Sequence, residues 1–260
     1  MSTDALHLLR LDLDLPRLFS LCQRQRLPPV EDLGYAIHCG LAAAFGDDAP
    51  SLFAVTHGGP TSPRRPGQER MLELLAYSSR SLSELRAQAE TYADPEAFRL
   101  VDWERAADKP MPAAWRPGQR LGFQVRACPT VRVAKAGPHV RAGAEVDAFL
   151  AAAWKEPEGP KPDREAVYRG WLSSALARTE GARVQEAVVD RFELQTLLRR
   201  TQGPERRAKQ RLRKPDVTFR GVLEVVEPEA FGMLLRRGVG RHRAFGFGML
   251  LLRPHRGAPC

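Results

Sequence analysis

Gly238-Val239-Gly240-Arg241-His242-Arg243-Ala244-Phe245-Gly246-Phe247-Gly248-Met249 orders the reading of the whole chain. Four glycines in eleven residues, 238–248, frame three consecutive basic side chains, and the apolar run Met249-Leu250-Leu251-Leu252 follows. Glycine accepts positive φ and lets a ligand come close to the main chain. Backbone amides exposed in this way, beside arginine and histidine, suit a phosphate. The loop therefore points to an anionic polymer. Pro228 to Arg236 reads as a short helix leading into it, and Ala244 to Leu252 as the strand leaving it.

Working outward, the charge balance agrees. Among 260 residues there are 40 Lys and Arg against 31 Asp and Glu, a net charge of +9. A surplus clustered in this way fits a nucleic acid. The alternative is a protein that is basic for no such reason. Hydrophobic residues make up 43%, enough for an ordinary core in one large or two modest domains. The 4 cysteines form no Cys-x-x-Cys pair, and no histidine spacing offers a zinc site, so reduced thiols in the cytoplasm are expected. No basic segment followed by a long apolar run opens the chain, and no run is long enough to cross a bilayer. No metal, cofactor or membrane partner is expected.

The first half reads β-α-β-β-α-β. Residues 6–14 alternate as a half-buried strand does. The segment from Pro16 to Pro29 reads as a proline-containing link, followed by a helix from Val30 to Phe45 that Gly46 stops. Strands are expected at Ser51 to Thr56, Met71 to Tyr77, 98–103 and 120–127. Ser81 and Glu84 have the spacing of a capping box at the start of a second helix. The second half predicts helices over Ala144 to Trp154 and Asp163 to Arg178, then strands over Val184 to Leu198 and Val217 to Val226. The fold expected is α+β, two tandem ferredoxin-like (βαββαβ) domains. The first spans 1–116, a closing strand and connector 117–142, and the second 143–260. Inside the second, Arg199 to Lys214 carries eight basic residues in sixteen, and only Glu205 opposes them. Such a segment stays solvated, as a hairpin tip or a projecting helix.

Three stretches resemble the CRISPR repeat-processing endoribonucleases, most closely the CasE branch. The first is the glycine loop with its helix, from Val225-Val226-Glu227-Pro228 through Leu234-Leu235-Arg236-Arg237-Gly238 to Met249-Leu250. The second is Pro117-Gly118-Gln119-Arg120-Leu121-Gly122-Phe123-Gln124-Val125-Arg126-Ala127-Cys128-Pro129, similar to the strand that ends the family's first domain. The third is Tyr35-Ala36-Ile37-His38, which matches a Tyr-x-x-His that carries catalysis in some members. The resemblance implies metal-independent cutting of a precursor transcript beside a repeat hairpin. A 2′-hydroxyl attacks the adjacent phosphate, and many such proteins keep the product and join an effector complex. Precursor and guide RNA and the other complex subunits are thus the expected partners.

The chemistry sets the candidate roles. Histidine titrates near neutrality, tyrosine orients a hydroxyl, and arginine offers a permanent planar fork to phosphate oxygens. His38 is the candidate acid or base, assisted by Tyr35; the alternative is a histidine packed beside Cys39 without chemistry. Some relatives carry a lysine just over one turn beyond the histidine, where this chain has Ala43. Arg24 and Arg243 are the candidates to stabilise the scissile phosphate in its place, with Arg241 an alternative to Arg243; otherwise they contact distant phosphates. RNA contacts are expected from Arg26, Arg132, Lys135, Arg199, Arg200, Arg206, Arg207, Lys209, Arg211, Arg213, Lys214, Gly238, Gly240, Arg241 and His242. Arg64, Arg65, Arg141 and His139 are weaker candidates. Trp115 is the candidate for base stacking, whereas Trp171 has core periodicity. A subunit that holds the hairpin without cutting it stays open, as does, more remotely, a DNA-binding protein.

Overall fold

The computed structural model describes residues 5–24, 33–57, 70–138, 140–155, 158–200 and 209–255. Its elements are β1 (His7–Asp14), α1 (Leu15–Arg24), α2 (Leu33–Phe45), β2 (Leu52–His57), β3 (Met71–Ser78), α3 (Leu82–Tyr92), α4 (Pro95–Phe98) and β4 (Ala107–Pro110). There follow β5 (Arg120–Ala127), β6 (Thr130–Arg132), β7 (Glu145–Asp147), α5 (Ala148–Ala153), α6 (Arg164–Ala177), β8 (Ala182–Arg200), β9 (Lys209–Val225), α7 (Pro228–Arg237) and β10 (Leu250–Pro254). Short 3-10 turns occupy Gly46–Asp48 and Arg243–Phe245. The fold is mixed α/β with antiparallel sheets, divided into two compact units. The first comprises Met1–Ala113, Thr196–Leu212 and His242–Met249; the second comprises Ala114–Gln195, Arg213–Arg241 and Leu250–Cys260. Among the described residues no helix is long and apolar enough to cross a membrane.

The first unit holds a four-stranded sheet in the order β2-β3-β1-β4. Alternation along β1 puts Leu9, Leu11 and Leu13 on one face, opposite Ala76, Leu74 and Leu72 of β3. All six are fully buried, and they share one core with Leu18 and Cys22 of α1, Ile37 and Leu41 of α2, and Leu85 of α3. A period of two on the strand and a stripe on each helix suffice to bring these side chains together.

The second unit holds a four-stranded sheet in the order β10-β5-β9-β8 and a two-stranded sheet of β6 and β7. In β5, Leu121, Phe123, Val125 and Ala127 are buried, and β9 sets Leu223, Gly221, Phe219 and Val217 opposite them. Tyr168, Leu172 and Leu176 of α6 and Phe231, Leu234 and Leu235 of α7 supply the buried helical residues.

Several expectations are corrected. The strand at 120–127 does not close the first sheet; as β5 it lies between β10 and β9 in the second. The first sheet is closed by β4, from a stretch in which the sequence predicts no strand. Every residue of β4 is exposed, so it pairs with β1 through the backbone and leaves no hydrophobic alternation to read. The expected strand at 98–103 is instead the end of α4 and a turn, in which buried Leu100 and Val101 cap the core. The proline-containing link contains α1, because Pro16 sits in its first turn, where a missing N–H costs nothing. The last strand starts at Leu250 rather than Ala244, after the Arg243–Phe245 turn. The helix expected over 144–154 is preceded by β7 and shortened to α5. The basic segment is entered by β8 and left by β9, so strands rather than a helix approach it, and 201–208 lie outside the described residues.

The capping box is present in full: the Ser81 hydroxyl accepts from the Glu84 amide, and the Glu84 carboxylate accepts from the Ser81 amide at 2.8 Å. Replacing Ser81 with Ala removes the helix cap and lowers unfolding free energy by about 1 kcal/mol, measured as a shift in urea midpoint at constant slope.

Candidate functional site

Helix α2 has two unlike sides. Gly34, Ala36, Ile37, Gly40, Leu41, Ala44 and Phe45 are buried, whereas Tyr35, His38 and Cys39 are half-buried. Residues three apart share a helix face, and the Tyr35 and His38 ring centroids are 6.5 Å apart. On its other side Tyr35 stacks on Phe245 at 5.8 Å and 23°. Phe245 ends the 3-10 turn, and the His242 ring lies 6.1 Å from it. His38, Tyr35, Phe245 and His242 thus form a row of rings within the first unit.

Gly34 makes this row possible. A Cβ at Gly34 would stand 2.3 Å from the Phe245 carbonyl oxygen and 2.7 Å from its carbon, so only a glycine lets α2 and the turn approach this closely. The turn holds itself by two backbone bonds, Phe245 N–H to the His242 carbonyl at 2.9 Å and Gly246 N–H to the Arg243 carbonyl at 3.0 Å. His242 adopts the left-handed region at φ 61°, and Gly238, Gly240, Gly246 and Gly248 all have positive φ, between 70° and 86°. The conformational freedom read into the glycine loop is used at each of the four.

Burial lowers the pKa of His38 from its usual value. The imidazole is therefore neutral at neutral pH and ready to accept a proton. Arg243 begins the turn and is exposed; Arg24 is exposed in the last turn of α1, a helix that packs on α2. Arg26 lies outside the described residues.

In the second unit, Arg132, Lys135 and Arg213 are exposed, as befits phosphate contacts. Arg241 is half-exposed and its Nη1 lies 3.5 Å from Glu145 Oε2. Lys214 departs from expectation: its side chain is 7% exposed, with Nζ 2.9 Å from Glu145 Oε1. A lysine so enclosed does not meet an incoming phosphate directly. A Cβ on Gly240 would lie 2.9 Å from the edge of the Trp171 ring, whose Nε1 donates to the Thr130 carbonyl at 3.0 Å. Trp171 supports the glycine loop from beneath. Gly238 ends α7, its N–H bonding the Leu234 carbonyl at 2.7 Å.

Arg199 and Arg200 end β8, and Lys209 and Arg211 stand near the start of β9. Arg206, Arg207, Arg64, Arg65 and His139 lie outside the described residues. Trp115, proposed for base stacking, is half-buried and packs edge-on against Phe231 at 4.9 Å. His7 bonds Asp108 at 2.8 Å on the first sheet. The residues missed by sequence reasoning are Gly34, Phe245, Trp171 in its supporting role, and Glu145. Gly34 stands beside one quoted motif and Phe245 inside another, but nothing in the chain's order says that they touch.

The profile of a family described as CRISPR associated protein matches residues 6–254. The chain belongs to this CRISPR-associated family. It is similar to the CRISPR-associated endoribonuclease Cse3 of Thermus thermophilus, with 31% identity over 193 residues, 72% of this chain and 82% of the relative. Its fold is similar to that of the CRISPR endoribonuclease Cse3 in a structure bound to a 19-nucleotide RNA, with a TM-score of 0.59 at 24% identity over 95% of this chain and 100% of the other. A chain of a CRISPR RNA-guided surveillance complex is also similar in fold, with a TM-score of 0.54 at 16% identity over 96% of this chain and 100% of that one.

Because the Phe245 backbone cannot yield to a side chain at position 34, Gly34→Ala lowers stability by about 1–3 kcal/mol. Gly170→Ala, where an added Cβ meets nothing within 4 Å, raises it by about 0.4–1 kcal/mol. Denaturant titration of both variants checks the opposite signs.

Proposed function

We propose that the protein is a metal-independent endoribonuclease that cleaves CRISPR precursor transcripts beside a repeat hairpin and retains the mature guide RNA for an effector complex. The observation that carries the reading is the row His38–Tyr35–Phe245–His242, which sets a neutral histidine and a tyrosine beside the basic glycine loop. Family membership and the likeness to Cse3 support the same substrate class.

The reaction follows from these groups. His38 accepts the proton of the ribose 2′-hydroxyl, which Tyr35 orients. The 2′-oxygen bonds to the adjacent phosphorus and the bond to the 5′-oxygen breaks in line with it. The products are a 2′,3′-cyclic phosphate and a 5′-hydroxyl, whose new proton from solvent balances the one His38 removed. Arg243 and Arg24 are assigned the developing phosphorane charge, for which fixed cations are effective. Arg132, Lys135, Arg213, Arg241 and the strands flanking 201–208 are assigned the hairpin's phosphates, because the deep major groove of A-form RNA is read by charge and shape.

The two sheets are read as tandem ferredoxin-like domains. Their strand orders support this: in each the first strand lies between the third and the fourth. A second reading, a subunit that holds the hairpin without cutting, is favoured by Ala43, which offers no cation beyond His38.

Purified protein with labelled repeat hairpin and EDTA cuts the wild-type RNA and leaves a 2′-deoxy substitution at the cut site intact. Binding without cutting selects the second reading. His38→Ala lowers the single-turnover rate about 10²- to 10⁴-fold with unchanged Kd. Since burial lowers the His38 pKa, the free enzyme holds the basic form down to below the usual histidine range. kcat/KM therefore stays flat from neutral pH downward and falls only below about 6.5, and a midpoint above that value rejects His38 as the base. For Arg24→Ala and Arg243→Ala, a fall in rate at saturating RNA assigns the arginine to the phosphorane. A rise in Kd alone assigns it to positioning.

A further inference from the structure

Among the described residues of the second unit, Glu145 stands against both Arg241, which is assigned to RNA, and Lys214, which is enclosed. Glu145 begins β7, with its side chain 18% exposed. Oε1 lies 2.9 Å from Lys214 Nζ, and Oε2 lies 3.5 Å from Arg241 Nη1. Lys214 Nζ also donates to the Glu145 carbonyl at 3.1 Å.

The three side chains have unequal access to solvent. Lys214 is 7% exposed and Arg241 is 45% exposed. Lys214 is therefore committed to Glu145, and the pair brings no net charge to the arginine's surroundings. A carboxylate this enclosed is costly unless cations and hydrogen bonds compensate it. Arg241 uses one guanidinium nitrogen on Glu145, and the five N–H groups of an arginine leave others directed elsewhere. Its backbone is held as well, since Gly240 lies directly on the Trp171 ring.

We infer that Glu145, with Lys214 as its buried counter-ion, is a positioning residue that holds the Arg241 guanidinium for an RNA phosphate. The role deepens the RNA-binding reading proposed above and rests on it. Lys214 cancels the carboxylate charge, so Arg241 keeps its attraction for the anion while its head group is fixed. Ordering a long cation before the ligand arrives removes an entropy cost from binding. The arrangement joins β7, the part of β9 nearest the sheet and the glycine loop into one binding element.

A double-mutant cycle on repeat-hairpin RNA tests this. Kd is measured for the wild type, Glu145→Gln, Arg241→Ala and the double variant. Glu145→Gln raises Kd about 3- to 10-fold in the wild-type background, and its effect falls below about twofold once Arg241 is alanine. Glu145→Gln also strands the Lys214 charge, so Glu145→Gln combined with Lys214→Met is measured beside it. That variant recovers the wild-type melting temperature but keeps the raised Kd. An equal cost in both Arg241 backgrounds, or a Kd restored together with the melting temperature, overturns the inference, because the role is then only structural. A folded wild type that does not bind the hairpin overturns the RNA reading itself; a wild type that binds without the coupling overturns this inference alone.

Discussion

The contact of the Phe245 carbonyl with Gly34 is the constraint on which the candidate site depends. It joins residues more than two hundred positions apart through an approach that any side chain at position 34 would block. Because the backbones meet there, the Phe245 ring stacks on Tyr35, and Tyr35 stands beside His38. The His242–Met249 part of the glycine loop and the helix that carries a titratable pair thereby share one unit. Neither element has this meaning alone: a Tyr-x-x-His on a helix is common, and so is a glycine-rich turn.

Charge is organised in two ways. Where a carboxylate is enclosed, an arginine or lysine accompanies it. Asp216 is paired with Arg126 by two bonds of 2.9 and 2.8 Å, and Glu145 is paired with Lys214. Removing one partner of such a pair is costly, which explains why these cations stay committed. Others, such as Arg132, Lys135 and Arg213, are exposed. A count of basic residues mixes the two classes, and Lys214 shows the consequence. It sits at the end of a run of basic residues, yet its own side chain is only 7% exposed.

His38 also illustrates how surroundings set chemistry. Half-burial against α2's neighbours favours its neutral form. A phosphate arriving nearby would favour the protonated form, so the site starts from a base that becomes easier to protonate as substrate binds.

Much of the organisation was legible in the chain. Alternating leucines announced β1, the Ser81–Glu84 spacing announced the cap of α3, and Asp163 announced the start of α6. The positive-φ glycines were legible for the same reason: local sterics act within a few residues, and local sequence records them. β4 was missed because an exposed edge strand needs only backbone partners, and the assignment of β5 to the wrong sheet followed from that omission. α1 was hidden by Pro16, which breaks a helix interior but not its first turn. The sequence by itself determined the periodicities, the caps, the glycine conformations and the family. The tertiary structure alone decided that Gly34 meets Phe245, that Trp171 underlies Gly240 and that Lys214 belongs to Glu145. These are contacts between side chains far apart along the chain, set by how sheets and helices pack, and no local pattern of residues encodes them.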